Sequence, residues 1–364
     1  MNDDSLQGGV DARAYVEGVM ARALEAGASD LHLEPVSGGV EVRVRVDGVL
    51  GKVETLPLDL GRAAVLRLMV MGQLLTYRMD IPQEGRIRWE GNGRAVDLRL
   101  AVMPVAYGMR AVVRLPGELS ELQKLEELGL PGRVVEALKK FAKSGGSEGD
   151  SGGMLLVTGP AGSGKTTTIY ALLSHIGATN EGVSIISLED PIERLVPGIT
   201  QIEVTPHGQM TYERALKSIL RQDPQVLMLG EIRDAATASL AVQAALSGHR
   251  LIATMHAGDP AAAIARLLEM GIEPYQVTSS LFGVLTQRLL RRRAEGGGYK
   301  GRVPAAEFAE LSATVRGAVL SRADAGMIRE LLLKERGYQT LRASAEAAVR
   351  AGVTDVEEVG RVLG

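Results

Sequence analysis

The residues best suited to chemistry form one glycine-rich stretch, Gly-Pro-Ala-Gly-Ser-Gly-Lys-Thr, at positions 159–166. The stretch fits the P-loop pattern G-x-x-x-x-G-K-[S/T], in which backbone N–H groups surround phosphate oxygens at the start of a helix. The apolar residues 154–157 predict a buried strand before it, and the residues from Thr167 onwards predict a helix after it. The expected nucleotide-binding residues of this loop are Gly159, Pro160, Ala161, Gly162, Ser163, Gly164, Lys165, Thr166 and Thr167.

Two residues of the loop have defined roles in such a site. The ammonium group of Lys165 is expected to reach the β- and γ-phosphates, and the hydroxyl of Thr166 is expected to bind Mg²⁺. The sequence therefore predicts a site for a nucleoside triphosphate and its metal ion.

Acidic residues follow two further predicted strands. Residues 184–188 lead to Glu189, Asp190 and Glu193, and residues 226–229 lead to Glu231. Ligands bind at the carboxyl ends of the strands in a parallel α/β sheet. We therefore expect Glu231 to act on Mg²⁺ through water, with Glu189 and Asp190 as further candidate metal ligands.

Two histidines flank a third apolar segment, residues 251–255. His249 precedes the segment and His256 follows it. An imidazole at the end of a core strand is suited to sense a γ-phosphate, so we interpret both histidines as candidate nucleotide-binding residues. Simple packing is the alternative for each of them.

The elements that must position these residues follow from the apolar pattern. Beyond residue 153, strands alternate with helices, which predicts an α/β domain with a parallel sheet. The earlier residues predict a small α+β domain, with helices over residues 12–26 and 60–75 and strands over residues 40–46, 86–90, 94–102 and 110–115. We interpret the lone His32 of that domain as packed or solvated, and its alternating arginines as a solvated sheet face.

Between the two domains, residues 119–141 predict a pair of charged helices around residues 129–132. Residues 144–153 are rich in Gly and Ser, a composition typical of flexible linkers. We expect a hinge there, and the alternative is a long surface loop within one rigid body.

Composition narrows the class of protein. At 364 residues and 45% hydrophobic, the chain is long enough for two or three domains. A net charge of −3 gives no general attraction to nucleic acid, and an aromatic content of 3% argues against a surface that stacks single-stranded bases. The chain has no cysteine for disulfides, no run of about 18 apolar residues and an acidic start unlike a signal peptide. A cytoplasmic protein is expected.

The motifs together resemble a known family. After the P-loop come Leu-Glu-Asp-Pro-Ile-Glu at 188–193, Leu-Arg-Gln-Asp-Pro-Gln-Val-Leu-Met-Leu-Gly-Glu-Ile-Arg-Asp at 220–234 and Gly-His-Arg-Leu-Ile-Ala-Thr-Met-His-Ala at 248–257. These are similar, in order, to the aspartate box, Walker B and histidine box of the type II secretion and type IV pilus motor ATPases. Residues 28–35, 44–50 and 81–87 are similar to the family's second N-terminal domain. The resemblance covers about residues 27–310.

This resemblance implies a RecA-like nucleotide domain that follows a small α+β, PAS-like domain and precedes a small helical C-terminal region. The expected bounds are 1–116 for the α+β domain and 117–153 for a helical segment and linker. They are 154–295 for the nucleotide domain and 296–364 for the mainly helical C-terminal region. The family forms hexameric rings that bind ATP and Mg²⁺. By motif position, Glu193 resembles the general base that activates water, Glu231 the Walker B acid, and His249 and His256 the histidine box. Arg99 and Arg114 match arginines that reach the γ-phosphate when the first domain closes.

The chain also departs from the family pattern. Assembly and secretion members carry a tetracysteine zinc motif after the Gln-Arg-Leu segment, whereas residues 286–302 join the flanks directly, so no zinc is expected. The extra N-terminal domain that docks such ATPases to the membrane machine has no counterpart in the sequence. We interpret the basic run at residues 288–293 as a solvated helix end, with lipid or nucleic acid contact as the alternative. The tail beyond residue 313 predicts small amphipathic helices.

The function that follows is a hexameric motor that drives pilin or pseudopilin assembly through an inner-membrane platform protein. Its expected place is peripheral, at the cytoplasmic face of the inner membrane. A retraction motor is an alternative within the same class, favoured by the missing zinc motif and opposed by the sequence Gly-Tyr-Lys-Gly-Arg at 298–302. A P-loop protein for DNA uptake or conjugation is an alternative from another class, although nucleic acid is not the expected partner.

Overall fold

A computed structural model describes residues 11–91, 94–115, 124–143, 153–205 and 210–364. The chain divides into two compact units, Met1–Ser120 and Glu121–Gly364, and each has its own apolar core. Residues 144–152 of the predicted linker lie outside the described residues, so the hinge stays a prediction.

The first unit contains an antiparallel sheet with helices packed on it and on each other. Its elements are α1 (Ala12–Glu25), β1 (Asp30–Val36), β2 (Gly39–Val46), β3 (Val49–Leu56), α2 (Leu58–Met71), β4 (Gln83–Gly91), β5 (Arg94–Val105) and β6 (Gly108–Arg114). The strand order is β3-β2-β1-β6-β5-β4. The predicted α+β fold is confirmed. Strands β1 and β3 were not among the predicted strand ranges. Strand β3 returns from β2 through a turn in which Asp47 and Gly48 have φ values of 49° and 84°.

Apolar and polar side chains alternate along β2, and the apolar ones pack against the helices. Val40 and Val42 of β2 point into the core with Leu31 and Leu68 and are almost completely buried. Helix α2 approaches β2 so closely that a Cβ at Gly61 would lie 2.3 Å from Val40. The apolar period of two in the sequence therefore corresponds to one covered face of the sheet.

The second unit contains a larger sheet with the order β13-β12-β7-β11-β10-β8-β9, parallel except for the β12–β13 pair. Its strands are β7 (Gly153–Thr158), β8 (Ile185–Glu189), β9 (Thr200–Glu203), β10 (Val226–Leu229), β11 (Arg250–Met255), β12 (Leu281–Arg293) and β13 (Tyr299–Glu310). Its helices are α3 (Gly132–Lys143), α4 (Lys165–Thr179), α5 (Tyr212–Ile219), α6 (Ala235–Leu246), α7 (Pro260–Glu269), α8 (Pro274–Ser280), α9 (Ala313–Leu320), α10 (Ala325–Lys334), α11 (Leu341–Arg350) and α12 (Val356–Leu363). The predicted α/β parallel-sheet domain is confirmed.

Helices cover both faces of this sheet. Along β7, Leu155 and Val157 join a core with α3 and α4, whereas Met154 and Leu156 join a core with α6 and α7. A strand buried on both faces reads as a continuous apolar run, which is why residues 154–157 lack alternation. In place of the predicted helix pair at 119–141, the described part of that segment holds a 3₁₀ turn, Leu125–Leu128, followed by α3.

The interpretation of residues 288–293 as a solvated helix end was wrong. They belong to β12, which pairs with β7 on one side and with β13 on the other. Residues 288–293 themselves pair with β13, so a helix at this position would have left the backbone groups of β13 without partners. The expected boundary between residues 295 and 296 falls in the turn of this β12–β13 hairpin.

Helices α9 to α12 complete the second unit, as the sequence of the tail predicted. Glu358 of α12 is fully buried against β12, where it accepts hydrogen bonds from the backbone N–H of Arg291 at 2.9 Å and from its Nε at 2.8 Å. Among the helices that the structure describes, none has the length and apolar character needed to cross a membrane.

Candidate functional site

The P-loop connects β7 to α4, in the order of strand, loop and helix that the sequence predicted. Gly159, Gly162 and Gly164 have φ values of 143°, 74° and 86°, a region of backbone conformation that favours glycine. Lys165 Nζ donates to the carbonyl oxygens of Gly159 and Pro160, each at 2.9 Å. The loop therefore curls around the ammonium group of its own lysine.

The donors of this loop fit a phosphate group. Gly164 is the N-cap residue of α4, and no described side chain caps the first N–H groups of that helix. Ser163 Oγ is buried and has no hydrogen-bond partner among the described residues. Free N–H groups at a helix N-terminus, a buried hydroxyl and a lysine are together the donors that phosphate oxygens accept from.

The sheet brings the other predicted residues to the same edge. Strands β7, β11, β10 and β8 are neighbours and run parallel, so their carboxyl ends lie together. Glu189 is the last residue of β8, while Glu231 and His256 follow the ends of β10 and β11. The strand order thus brings residues that are far apart in sequence close together at one edge of the sheet.

A chain of contacts runs from Asp190 to the P-loop. Arg233 Nη1 lies 3.4 Å from Asp190 Oδ2, and its Nε donates to Glu231 Oε2 at 2.5 Å. Glu231 Oε1 lies 3.0 Å from His256 Nε2, and His256 Nδ1 lies 3.2 Å from the carbonyl oxygen of Gly159. Glu231 is therefore held at the loop with both carboxylate oxygens engaged.

Charge around Lys165 follows from these neighbours. Burial lowers the pKa of Lys165 below its ordinary value, and the charge of Arg288 lowers it further. The carboxylates of Glu231 and Glu193 act in the opposite direction, so both lie within electrostatic reach of the ammonium group. Glu193 itself is exposed, which leaves its carboxylate accessible to water.

The carboxylate of Asp190 faces Arg233 at 3.4 Å, whereas that of Glu189 accepts hydrogen bonds from uncharged side chains. Glu189 is buried, and its carboxylate accepts from the hydroxyl of Tyr170, from Ser187 Oγ at 2.6 Å and from Gln201 Nε2 at 2.9 Å. These protein donors occupy the oxygens that would bind a metal. Within the described residues, no group of three or more His, Asp or Glu side chains is arranged to hold a metal ion.

His249 lies at the opposite end of β11 from His256. Its Nδ1 is 3.0 Å from the carbonyl oxygen of Ala244, and its own carbonyl oxygen accepts from Gly153 at the start of β7. Seven residues of extended strand span about 23 Å. The structure therefore brings His256 to the P-loop edge and places His249 at the other edge of the sheet.

Arg99 and Arg114 lie in the first unit, directly opposite each other on β5 and β6. Both are exposed, and Arg114 Nε lies 3.3 Å from Asp30 Oδ1. Two adjacent exposed guanidinium groups suit an anionic ligand, and their action on a γ-phosphate stays a prediction.

Gln287 and Arg233 contact the site, and neither was predicted from the sequence as a site residue. Gln287 of β12 is buried and donates from Nε2 to the carbonyl oxygen of Ser163 at 2.7 Å. Its signal in the sequence is a single amide within the largely apolar residues 281–290, which no motif search would select. Arg233 stands two residues after Glu231, within the Walker B motif itself.

Comparison with known proteins identifies what this chain resembles. The family model described as "Type II/IV secretion system protein" matches residues 11–361. The type IV pilus assembly ATPase PilB of Thermus thermophilus is 36% identical over 96% of this chain and 42% of its own length. The type II secretion system protein HxcR of Pseudomonas aeruginosa is 37% identical over 98% of this chain and 78% of its own length. This chain thus spans less than half of PilB and about three quarters of HxcR.

Solved structures show the same fold. The crystal structure of the pilus retraction motor PilT with bound ADP is 26% identical and has a TM-score of 0.64, covering 95% of this chain and 96% of PilT. The Legionella pneumophila ATPase DotB is 19% identical, with a TM-score of 0.73 over 99% of this chain and 97% of DotB. The likeness to DotB supports the fold alone.

Proposed function

This chain belongs to the type II/IV secretion system protein family, and we propose that it is an ATP-hydrolysing motor that powers the assembly of pilin or pseudopilin fibres. The observation that carries the proposal is the contact of Glu231 with the P-loop through His256. A phosphate-binding loop alone fits any nucleotide-binding protein. An acid held beside that loop at the end of a core strand is the arrangement that hydrolysis requires.

Each residue has a role that its position supports. ATP and Mg²⁺, when bound, supply the phosphoryl group and the cation that offsets its charge. Lys165 and the N–H groups at the start of α4 would bind phosphate oxygens, and Thr166, in the first turn of α4, would offer its hydroxyl to the metal. Glu231 would act on the metal through water, since Arg233 Nε already donates to its Oε2 and His256 Nε2 lies 3.0 Å from its Oε1. The exposed carboxylate of Glu193 takes a proton from the attacking water.

The motor is proposed to work as a homo-hexamer on an inner-membrane platform protein, at the cytoplasmic face of that membrane. Within it, Arg99 and Arg114 supply mobile positive charge to the γ-phosphate as the first unit closes, which couples hydrolysis to motion. Support for this assembly comes from family membership and from the names of the relatives, which are pilus assembly and type II secretion proteins. A retraction motor is the second candidate, favoured by the likeness to PilT over nearly the whole chain.

The Glu231→Gln variant tests the ATPase proposal. The amide has the shape of the carboxylate without its charge, so ATP binding should persist while phosphate release falls to the uncatalysed level. Glu269→Gln is the matched control, because Glu269 is an exposed carboxylate at the end of α7. Binding is measured by equilibrium titration with ATP, and turnover by release of inorganic phosphate. Unchanged phosphate release in Glu231→Gln would overturn the assignment.

The biological role needs a cellular test. Lys165→Ala at the native locus should remove nucleotide binding, and its effect is scored by counting surface pili and profiling secreted proteins. Loss of pili supports an assembly motor, and normal pili with missing secreted proteins supports type II secretion. Excess pili would show a retraction motor and overturn the assembly proposal.

A further inference from the structure

Strand β12 passes directly beside the P-loop. It pairs with β7 as far as Thr286, which lies opposite Thr158, the last residue before the loop. Gln287 comes next on β12, where β7 has given way to the loop. Gln287 is only 1% exposed, so its side-chain amide must form its hydrogen bonds within the protein.

The amide of Gln287 joins two parts of the phosphate-binding segment. Its Nε2 donates to the carbonyl oxygen of Ser163 at 2.7 Å, and its Oε1 accepts from Thr168 Oγ1 at 3.1 Å. Ser163 is the residue before the N-cap of α4, and Thr168 lies in the first turn of that helix. One side chain therefore fixes the end of the loop against the start of the helix.

The two glycines at the ends of the loop pack against the same residue. A Cβ at Gly159 would lie 2.6 Å from the carbonyl oxygen of Gln287, and a Cβ at Gly164 would lie 3.0 Å from its Nε2. Both glycines also have positive φ values. The path of the loop thus depends on Gln287 as well as on its own glycines.

We propose that Gln287 is a positioning residue that holds the P-loop in its phosphate-binding conformation before nucleotide arrives. The inference rests on the proposed function, because it assigns Gln287 a part in binding ATP and ADP. A loop held in place needs no ordering when phosphate binds, whereas a loop released from Gln287 must be ordered at that moment. Loss of the amide should therefore weaken nucleotide binding through the contacts with Ser163 and Thr168.

The test compares nucleotide affinity in four variants of the full chain. Gln287→Leu keeps a similar volume and removes both hydrogen bonds, and the dissociation constants for ADP and ATP should rise about tenfold. Thr168→Val removes the Thr168 bond alone and should raise them about threefold. Thr168→Ser keeps the hydroxyl and should restore values close to those of the wild type. The KM for ATP should follow these changes more closely than kcat does.

Thr286→Val is the matched control for buried polar loss. Thr286 is buried on the same strand, and its Oγ1 lies 2.6 Å from Thr158 Oγ1, so the variant also breaks a buried pair without touching the loop. It should lower the melting temperature while leaving the dissociation constants unchanged.

Three results would count against the inference, and one separates it from the proposed function. Wild-type affinity in Gln287→Leu, or equal loss of affinity in Thr286→Val, overturns the positioning role alone. If Gln287→Leu does not fold, equal affinity in Thr168→Val and Thr168→Ser overturns it instead. Wild-type protein that binds neither ADP nor ATP overturns the proposed function itself.

Discussion

His256 lies between the P-loop and Glu231, with Nδ1 at 3.2 Å from the carbonyl oxygen of Gly159 and Nε2 at 3.0 Å from Glu231 Oε1. It follows the last residue of β11, and β11 lies between the strands that lead to Gly159 and to Glu231. One imidazole therefore connects the P-loop with Glu231, the acid proposed to act on the metal. A change in the position of the P-loop or of Glu231 should therefore affect the other through the imidazole of His256.

From this arrangement we expect His256→Ala to lower kcat for ATP hydrolysis by about 100-fold, because a misplaced Glu231 no longer orients the reacting groups. The dissociation constant for ATP should change little, since Lys165 and the loop remain. Single-turnover and steady-state phosphate release, together with ATP titration, check both halves. A large loss of affinity with unchanged kcat would contradict this interpretation.

His249→Ala is the comparison that decides the predicted role of His249. Because His249 contacts Ala244 at the other edge of the sheet, His249→Ala should leave kcat for ATP hydrolysis within about twofold of the wild-type value. A fall in kcat equal to that of His256→Ala would support the role of His249 as the γ-phosphate sensor that the sequence predicted.

The sequence predicted the local parts of this site well. The P-loop, its strand and its helix are contiguous, so the pattern of residues 154–173 sufficed to place Lys165 and Thr166. The positions of Glu231 and His256 also followed, because each ends an apolar strand and parallel strands end at one edge. The apolar pattern of the sequence can thus predict the position of a residue that lies in, or directly after, a predicted strand or helix.

The parts that were missed depend on distant contacts. Gln287 meets Ser163 across 124 residues of sequence, and no local pattern marks that meeting. Glu189 stays a predicted candidate metal ligand, and its position in sequence did not show that Tyr170, Ser187 and Gln201 donate hydrogen bonds to its carboxylate. The arginines at 291–293 hid the strand character of β12, since three consecutive charges show neither a helical nor a strand period.

A further prediction concerns pH and the first unit. Burial lowers the pKa of His32 below its ordinary value, and the charges of Arg110 and Arg45 lower it further, while Asp30 and Glu34 oppose them. The unfolded chain therefore binds this proton more readily than the folded one, at a pKa of about 6.5. The stability that neutral His32 allows is complete above that pH and is lost as the pH falls below it.

We expect the free energy of unfolding of the first unit to fall between pH 7.5 and pH 5.5, and His32→Asn to make that fall smaller. Urea unfolding of the full chain, followed by Trp89 fluorescence, measures the first unit, because Trp89 on β4 is the single tryptophan of the chain. His175→Asn on α4 should keep the wild-type pH dependence. An unchanged slope in His32→Asn would assign the pH dependence to other groups.

The last prediction concerns the link between α12 and β12. Burial by itself raises the pKa of Glu358, but hydrogen bonds from Arg361 and Arg291 outweigh it and lower the pKa to about 2. Glu358 is fully buried, whereas the guanidinium groups of Arg291 and Arg361 reach solvent. The stability that the ionised carboxylate gives is therefore present above a pH of about 4.5 and is lost as the pH falls towards 2.

Glu358→Gln should lower the free energy of unfolding of the second unit by about 2 kcal/mol, less than the ~3–5 kcal/mol for a fully buried pair, because water solvates the released guanidinium groups. Glu357→Gln is the control, an exposed carboxylate at the preceding position of the same helix, and its effect should stay within ~0.5 kcal/mol. Thermal unfolding at pH 7 and pH 4 checks both, and the difference between the wild type and Glu358→Gln should shrink at the lower pH. Equal effects of the two substitutions would mean that the buried carboxylate does not fasten α12 to the strand that also carries Gln287.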